Sequence, residues 1–241
     1  MEKTTQSIIG LTAKPAIMNK EIYYQYFFLL VFLLIFTFLF WSITTNAQTT
    51  AIPDSNFEQA LIDLGYDSGT PNGSVPTANI SSVDSLDVSG GPFGGLIIDL
   101  TGIADFTALT FLSCGVNLLT SLDVSNNTGL TGLNCEFNQL TNLDVSNNTG
   151  LTYLKCNSNL LAGLNVSNNA ALETLISGSN PITSIDVSNN AALTYLVCTN
   201  TLLSSLDVSG ATALTTLWCY DNQLTSLDVS NNTALTTLWC Y

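Results

Sequence analysis

Histidine and arginine are absent from the 241 residues, and lysine occurs only four times. Without histidine there is no imidazole base, and without arginine no guanidinium clamp for an oxyanion or phosphate. Beyond Gln48 a single lysine, Lys155, stands against 16 acids, so the net charge of that part is −15. A chain so short of cations has no basic footprint for phosphates, which excludes nucleic acid as a partner. Anionic lipid headgroups are disfavoured for the same reason. Carboxylate chemistry is the one general catalytic route left open.

Long apolar runs are also scarce, with one exception. Residues Tyr26 to Ile43 carry no charge, follow Lys20, and lead to the small-residue exit Thr45-Asn46-Ala47. This layout predicts a secretory signal peptide over residues 1–47, with Met18 an alternative start. The run is close to the roughly 20 residues that span a bilayer, so an uncleaved anchor is the rival reading. After cleavage no membrane insertion is expected, and the mature chain would be secreted or held on the outer cell surface.

What the sequence has in abundance is a period. The segment Leu122-Asp-Val-Ser-Asn-Asn-Thr-Gly-Leu130 returns every 21 residues, at Leu143, Leu164, Ile185, Leu206 and Leu227. A strict period of this length predicts a solenoid, because one repeat cannot bury its apolar face alone and must stack on its neighbours. Within a coil, Leu151-Thr-Tyr-Leu154-Lys-Cys156-Asn-Ser-Asn159-Leu-Leu161 reads L-x-x-L-x-C-x-x-N-x-L. The L-x-C portion predicts a short strand with Leu and Cys inward and its neighbours outward. Asn117, Asn138, Asn159, Asn180 and Asn222 then form a turn ladder, interrupted by Thr201. The second apolar pair, such as Leu143 and Val145, predicts a short strand or extended segment on the opposite side. Ahead of the coils, Pro53-Asp54-Ser55 starts a helix carrying Phe57, Ala60, Leu61 and Leu64 to Gly65, and Asp67 to Pro76 reads as a loop.

The repeat resembles the leucine-rich repeat. Together with IPDSNFEQALIDLGYD before it and DLTGIADFTALT (Asp99 to Thr110) leading in, it is similar to secreted bacterial leucine-rich repeat proteins of the internalin-like kind. That resemblance covers nearly everything from Ile52 onward. It implies a repeat solenoid, mainly β, whose parallel sheet runs through about seven coils behind a short N-terminal helical cap. The boundaries are 48–79 for the cap and its loop and 80–241 for the solenoid, with a glycine-rich bulge at Gly90 to Gly95. The resemblance further implies a role in binding through the sheet face, in adhesion or recognition. Such proteins usually carry further domains or a sorting segment. Here Ser226 to Tyr241 copies Ser205 to Tyr220 except at Asn231 and Asn232, and the chain stops in mid-coil, so a longer natural protein is expected.

Three columns could carry chemistry. Cys114, Cys135, Cys156, Cys198, Cys219 and Cys240 share one position, with Ser177 in the missing place. Their Cβ vectors should run parallel rather than converge, so buried free thiols are expected instead of disulfides or a zinc site. Asp123, Asp144, Asp186, Asp207 and Asp228 form an acidic column broken by Asn165. Each Asp is expected to hold its following turn, and calcium bridging the row is the sharper alternative. The Asn-Asn-Thr runs match a glycosylation pattern, but turn chemistry already explains them.

The third column varies from coil to coil: Ser113, Asn134, Lys155, Ile176, Val197, Trp218, Trp239. Phe111, Tyr153 and Tyr195 flank it on one side, with Tyr220 and Tyr241 on the other and Phe137 nearby. Variation confined to one exposed sheet face, and rich in Trp and Tyr, marks a ligand face. The candidate binding residues are therefore Phe111, Tyr153, Lys155, Tyr195, Trp218, Tyr220, Trp239 and Tyr241. The expected function is a non-catalytic, exported binding module for protein or polysaccharide, without a cofactor. The alternatives are a calcium-stiffened surface spacer and a carboxylate glycosidase, the latter unsupported by any motif around Asp99, Asp105 or Glu136.

Overall fold

The computed structural model describes residues 20–41, 47–90 and 96–241. The chain divides into two units, Met1–Asn46 and Ala47–Tyr241. In the first, helix α1 spans Lys20–Trp41, and its apolar side chains from Tyr23 to Phe32 are exposed. Counting only residues with described side chains, no helix is long and apolar enough to cross a membrane. Thr45 and Asn46 of the expected exit and most of the glycine-rich bulge lie outside the described residues.

The second unit opens with the cap. Asp54, in extended conformation, accepts the Asn56 and Phe57 N–H groups at 2.8 and 3.1 Å and starts helix α2, Ser55–Asp63. Such a cap satisfies donors that the first helical turn cannot. The helix buries Phe57 and Leu61, and also Glu58, whose carboxylate accepts the Asn72 and Gly73 N–H groups at 2.7 Å each. Part of the segment expected as a loop is therefore ordered differently. Strand β1 (Thr49–Ala51) pairs antiparallel with β2 (Ser74–Pro76), and a short helix α3 (Thr77–Ile80) follows. The cap is a helix with a two-stranded ribbon rather than a helix alone. Its correct reading needed the long-range pair between residues 49 and 76, which carries no local signal.

The other Asp54 oxygen accepts the Ile98 and Asp99 N–H groups at 2.7 and 3.0 Å, tying the cap to the first coils. Burial pushes this carboxyl up, but the bonds from Ile98, Phe57, Asp99 and Asn56 outweigh it, and its pKa lies below the usual value.

The coils follow the expected register. Strands β3 (Ser85–Asp87), β4 (Phe111–Ser113), β5 (Gly132–Asn134), β6 (Tyr153–Lys155), β8 (Thr174–Ile176), β10 (Tyr195–Val197), β11 (Thr216–Trp218) and β12 (Thr237–Trp239) form one parallel eight-stranded sheet in sequence order. On the far side, among the described residues, β7 (Leu164–Asn165) pairs with β9 (Ile185–Asp186), and a bridge joins Asp186 to Asp207. Inside, the leucine columns from Leu109 to Leu217 are sealed from solvent, giving a continuous apolar core along the stack.

Two asparagine ladders bind the coils. In the expected one, Asn159 donates to the Cys135 and Cys156 carbonyls at 3.0 and 3.1 Å and accepts the Leu140 N–H at 3.0 Å. The same pattern recurs at Asn138 and Asn180. Thr201 keeps only a hydroxyl, which donates to the Cys198 carbonyl and contacts Asn222. The second ladder was not anticipated. Asn127, Asn148, Asn169, Asn190 and Asn232 are buried, and Asn148 donates to the Val124 and Asn127 carbonyls at 3.1 and 2.9 Å. It occupies the second Asn of the Ser-Asn-Asn turn. The residue before each member of the first ladder is in the left-handed region: Val116, Phe137, Ser158, Ser179, Asn200 and Asp221 have φ between 50° and 57°.

Candidate functional site

The sheet places the variable column in strict register. Ser113, Asn134, Lys155, Ile176, Val197, Trp218 and Trp239 stand opposite one another on successive strands. Parallel strands lie about 4.8 Å apart, so neighbouring large side chains must touch.

The face has two unlike halves. Toward the cap, Lys155 Nζ contacts Glu136 Oε1 at 2.6 Å, so the one cation beyond Gln48 is already paired. Phe111 lies over Gly132, where even a Cβ would meet its ring at 2.5 Å. Tyr153 stands one strand further on, half-buried. Toward the other end the rings gather. Trp218 and Trp239 stack at 4.6 Å with an interplanar angle of 8°, and Tyr220 stacks on Tyr241 at 5.0 Å and 7°. Tyr195 leans on Trp218 at 5.9 Å, and Tyr220 on Trp239 at 6.4 Å. Trp239 is 46% exposed and Tyr241 83%, whereas the Trp218 indole N–H is buried without an acceptor among the described residues. Five of the eight candidate residues thus form one cluster, while Phe111, Tyr153 and Lys155 stand apart from it.

Stacking has a chemical consequence. The faces of Trp218 and Tyr220 that meet their neighbours are closed to any ligand, so a partner approaching the sheet meets mainly ring edges. The ring order is readable in sequence only as a column; whether the rings splay or stack is set by the coil spacing.

The cysteine column lines the core as expected. Cys114, Cys135, Cys156, Cys198 and Cys219 are buried and free, and Cys240 is exposed. Burial pushes the Cys114 and Cys156 thiols up to about 12 and Cys219 to about 11. Protonated at neutral pH, they pack as small apolar groups rather than acting as nucleophiles.

The acidic column lies on the far flank. Each Asp accepts the N–H of the serine two residues on, from Asp123–Ser125 to Asp228–Ser230, at 2.9 Å. Bonds from the same serines hold all five carboxyls below their usual pKa. Among the described residues no group of three or more Cys, Asp or Glu gathers as a metal site. The carboxylates weighed for catalysis do not meet either. Asp105 accepts the Thr50 hydroxyl at 2.6 Å, Asp99 holds Thr101, and Glu136 holds Lys155.

With this architecture in place, solved structures supply the comparison. An internalin, InlF, of Listeria monocytogenes str. 4b F2365 superposes with a TM-score of 0.60 at 28% identity, over 67% of this chain and 49% of its own. This is an internalin-like leucine-rich repeat solenoid. Internalin C2 of the same strain matches at a TM-score of 0.58 and 18% identity, over 80% of this chain and 98% of its own, which speaks for the internalin-like fold alone. The functional domain of InlJ from Listeria monocytogenes, described as including a cysteine ladder, is 30% identical over 80% of this chain and 57% of its own. Its TM-score of 0.40 is too low to argue from. The internalin-like chain spans about half the length of InlF and of the InlJ domain. No protein-family model and no curated protein sequence matches it.

Proposed function

We propose that the chain is an exported, non-catalytic binding module that anchors a protein partner on the aromatic half of its sheet face. The likeness to InlF supports a protein-binding leucine-rich repeat module. The observation that carries the more specific reading is the paired stacking of Trp218 on Trp239 and Tyr220 on Tyr241. Rings held this way lose little freedom on binding, and pre-organised Trp and Tyr clusters are the usual anchors of protein interfaces. Sugar rings stack on open aromatic faces, and here Trp218 and Tyr220 each have a face covered by Trp239 and Tyr241, which favours protein over polysaccharide at this site.

The test is binding of the full chain to arrays of extracellular proteins and of glycans. Protein binding should fall at least tenfold in Trp239→Ala and in Trp218→Ala. Undiminished protein binding by both variants would leave the spacer role in its place.

A further inference from the structure

The edge of the stack just past the sheet carries a second surface, on the coils nearest the cap. Each coil turns two residues outward there, one on either side of the buried Asn of the first ladder. The residue before the Asn is the left-handed one. In the later coils it is Ser158, Ser179, Asn200 or Asp221, polar as an outward turn favours. In the coils of β4 and β5 it is Val116 and Phe137, at φ of 56° and 50°. Backbone sterics disfavour β-branched and bulky residues in this region, and both side chains are exposed. Neither local conformation nor burial within the chain accounts for them, and strain retained in this way points to a function.

The residues after the Asn extend the patch. The Leu118 N–H donates to Ile97 O as those of Gln139 and Leu160 do to Leu119 O and Leu140 O, which sets Leu96, Leu118, Gln139 and Leu160 in one row. Leu96, Ile98, Val116, Leu118, Phe137 and Leu160 are each between 38% and 62% exposed. With roughly 200 Å2 for a large apolar residue, together they offer about 600 Å2 of apolar surface. That is the top of the range for the largest patch on a monomer, about 300–600 Å2. From Leu96 to Leu202 neither row holds a charged residue. The two carboxylates next to the patch in sequence are engaged, Glu136 by Lys155 and Asp99 by Thr101.

We propose that this strip is the interface of a two-fold dimer, covered by the same strip of a second copy. Two chains of net charge −14 repel wherever their carboxylates face each other, so an uncharged edge is where they can meet. A two-fold axis across the strip sets each row against itself reversed, apolar on apolar along its length. The area fits as well. Two strips together bury about 1,200 Å2, the lower bound of a specific interface. The dimer is independent of the sheet-face reading, and it leaves the ring cluster on β10, β11 and β12 of each copy free.

The experiment cross-links the full chain with a flexible bismaleimide. Cys240, the exposed thiol, is changed to Ser, and the buried thiols stay protonated and unreactive. In that background Leu118→Cys should form a covalent dimer at least tenfold faster than Ala171→Cys, which is exposed on the turn leading into β8. The rate should rise with sodium chloride, which screens the repulsion between copies. Adding Val116→Asn and Phe137→Asn should slow it at least tenfold while raising the urea midpoint, since Asn suits the left-handed backbone. Lost association would then not be lost folding, and protein binding at the sheet face should persist. Equal rates from Leu118→Cys and Ala171→Cys would overturn the proposal and move any association elsewhere, such as to α1. So would a dimer untouched by the Asn pair. Absence of a cross-linked dimer at every salt and protein concentration would also overturn it, leaving the strip to a different protein.

Discussion

At the residue scale, the left-handed positions are where local preference and the stack disagree. Val116 adopts φ of 56°, which for a β-branched side chain is a strained conformation. Its amide is committed to the neighbouring coil: the Val116 N–H donates to Glu136 O at 2.9 Å. Its side chain is exposed. Val116→Asn places a residue tolerant of this region there without losing packing, and should raise stability by about 1 kcal/mol, read as a higher urea midpoint. Thr201 offers a complementary case. At Leu161 and Leu203 the N–H is received by an Asn carbonyl from the next coil; by the same register Ile182 would be served by residue 201, where threonine has no carbonyl. Thr201→Asn restores the ladder and should add about 1 kcal/mol, measured in the same unfolding series. A decrease on Thr201→Asn would mean that the Thr201 contact with Asn222 matters more than the missing bond.

At the scale of the element, each coil is held by side-chain bonds that repeat down the flank, and the Asp–Ser turns make them pH-dependent. These carboxyls sit below their usual value of 3.8 because the following serines bind the charged form. A lowered folded pKa means that the stabilisation is complete above the unfolded value and is lost as pH falls through the folded one. The urea midpoint should therefore hold between pH 7 and 5 and decline below about pH 4. A midpoint unchanged down to pH 3 would contradict this account of the turns. The periodicity made the strands, the first Asn ladder, the cysteine core and the Asp turns readable, because each is a local spacing repeated. The ribbon β1–β2, the buried Glu58 and the second Asn ladder were not readable, since each depends on partners from another coil or from the far side of a loop. The aromatic column was visible as a column; the pairing of its rings was not.

For the second unit as a whole, the charge imbalance meets the regular stack. Like charges in the Asp column recur at coil spacing, close enough for repulsion at low ionic strength, with a screening length of about 10 Å at 0.1 M salt. With Lys155 already bound to Glu136, no other lysine or arginine of the second unit offsets them. The melting temperature should rise as sodium chloride goes from 20 to 500 mM, in a circular dichroism melt. A falling temperature would show that the Lys155–Glu136 pair matters more than the excess of acids.

The Asn ladders bond within a coil or to the adjacent coil and, among the described residues, never further. A molecule wired in this way has no fixed length: recombination between equivalent points could add or remove whole coils while leaving every joint intact. Such exchange would lengthen or shorten the ring-bearing face. Recognition could then diversify by shuffling coils, ahead of any change to the scaffold that carries them.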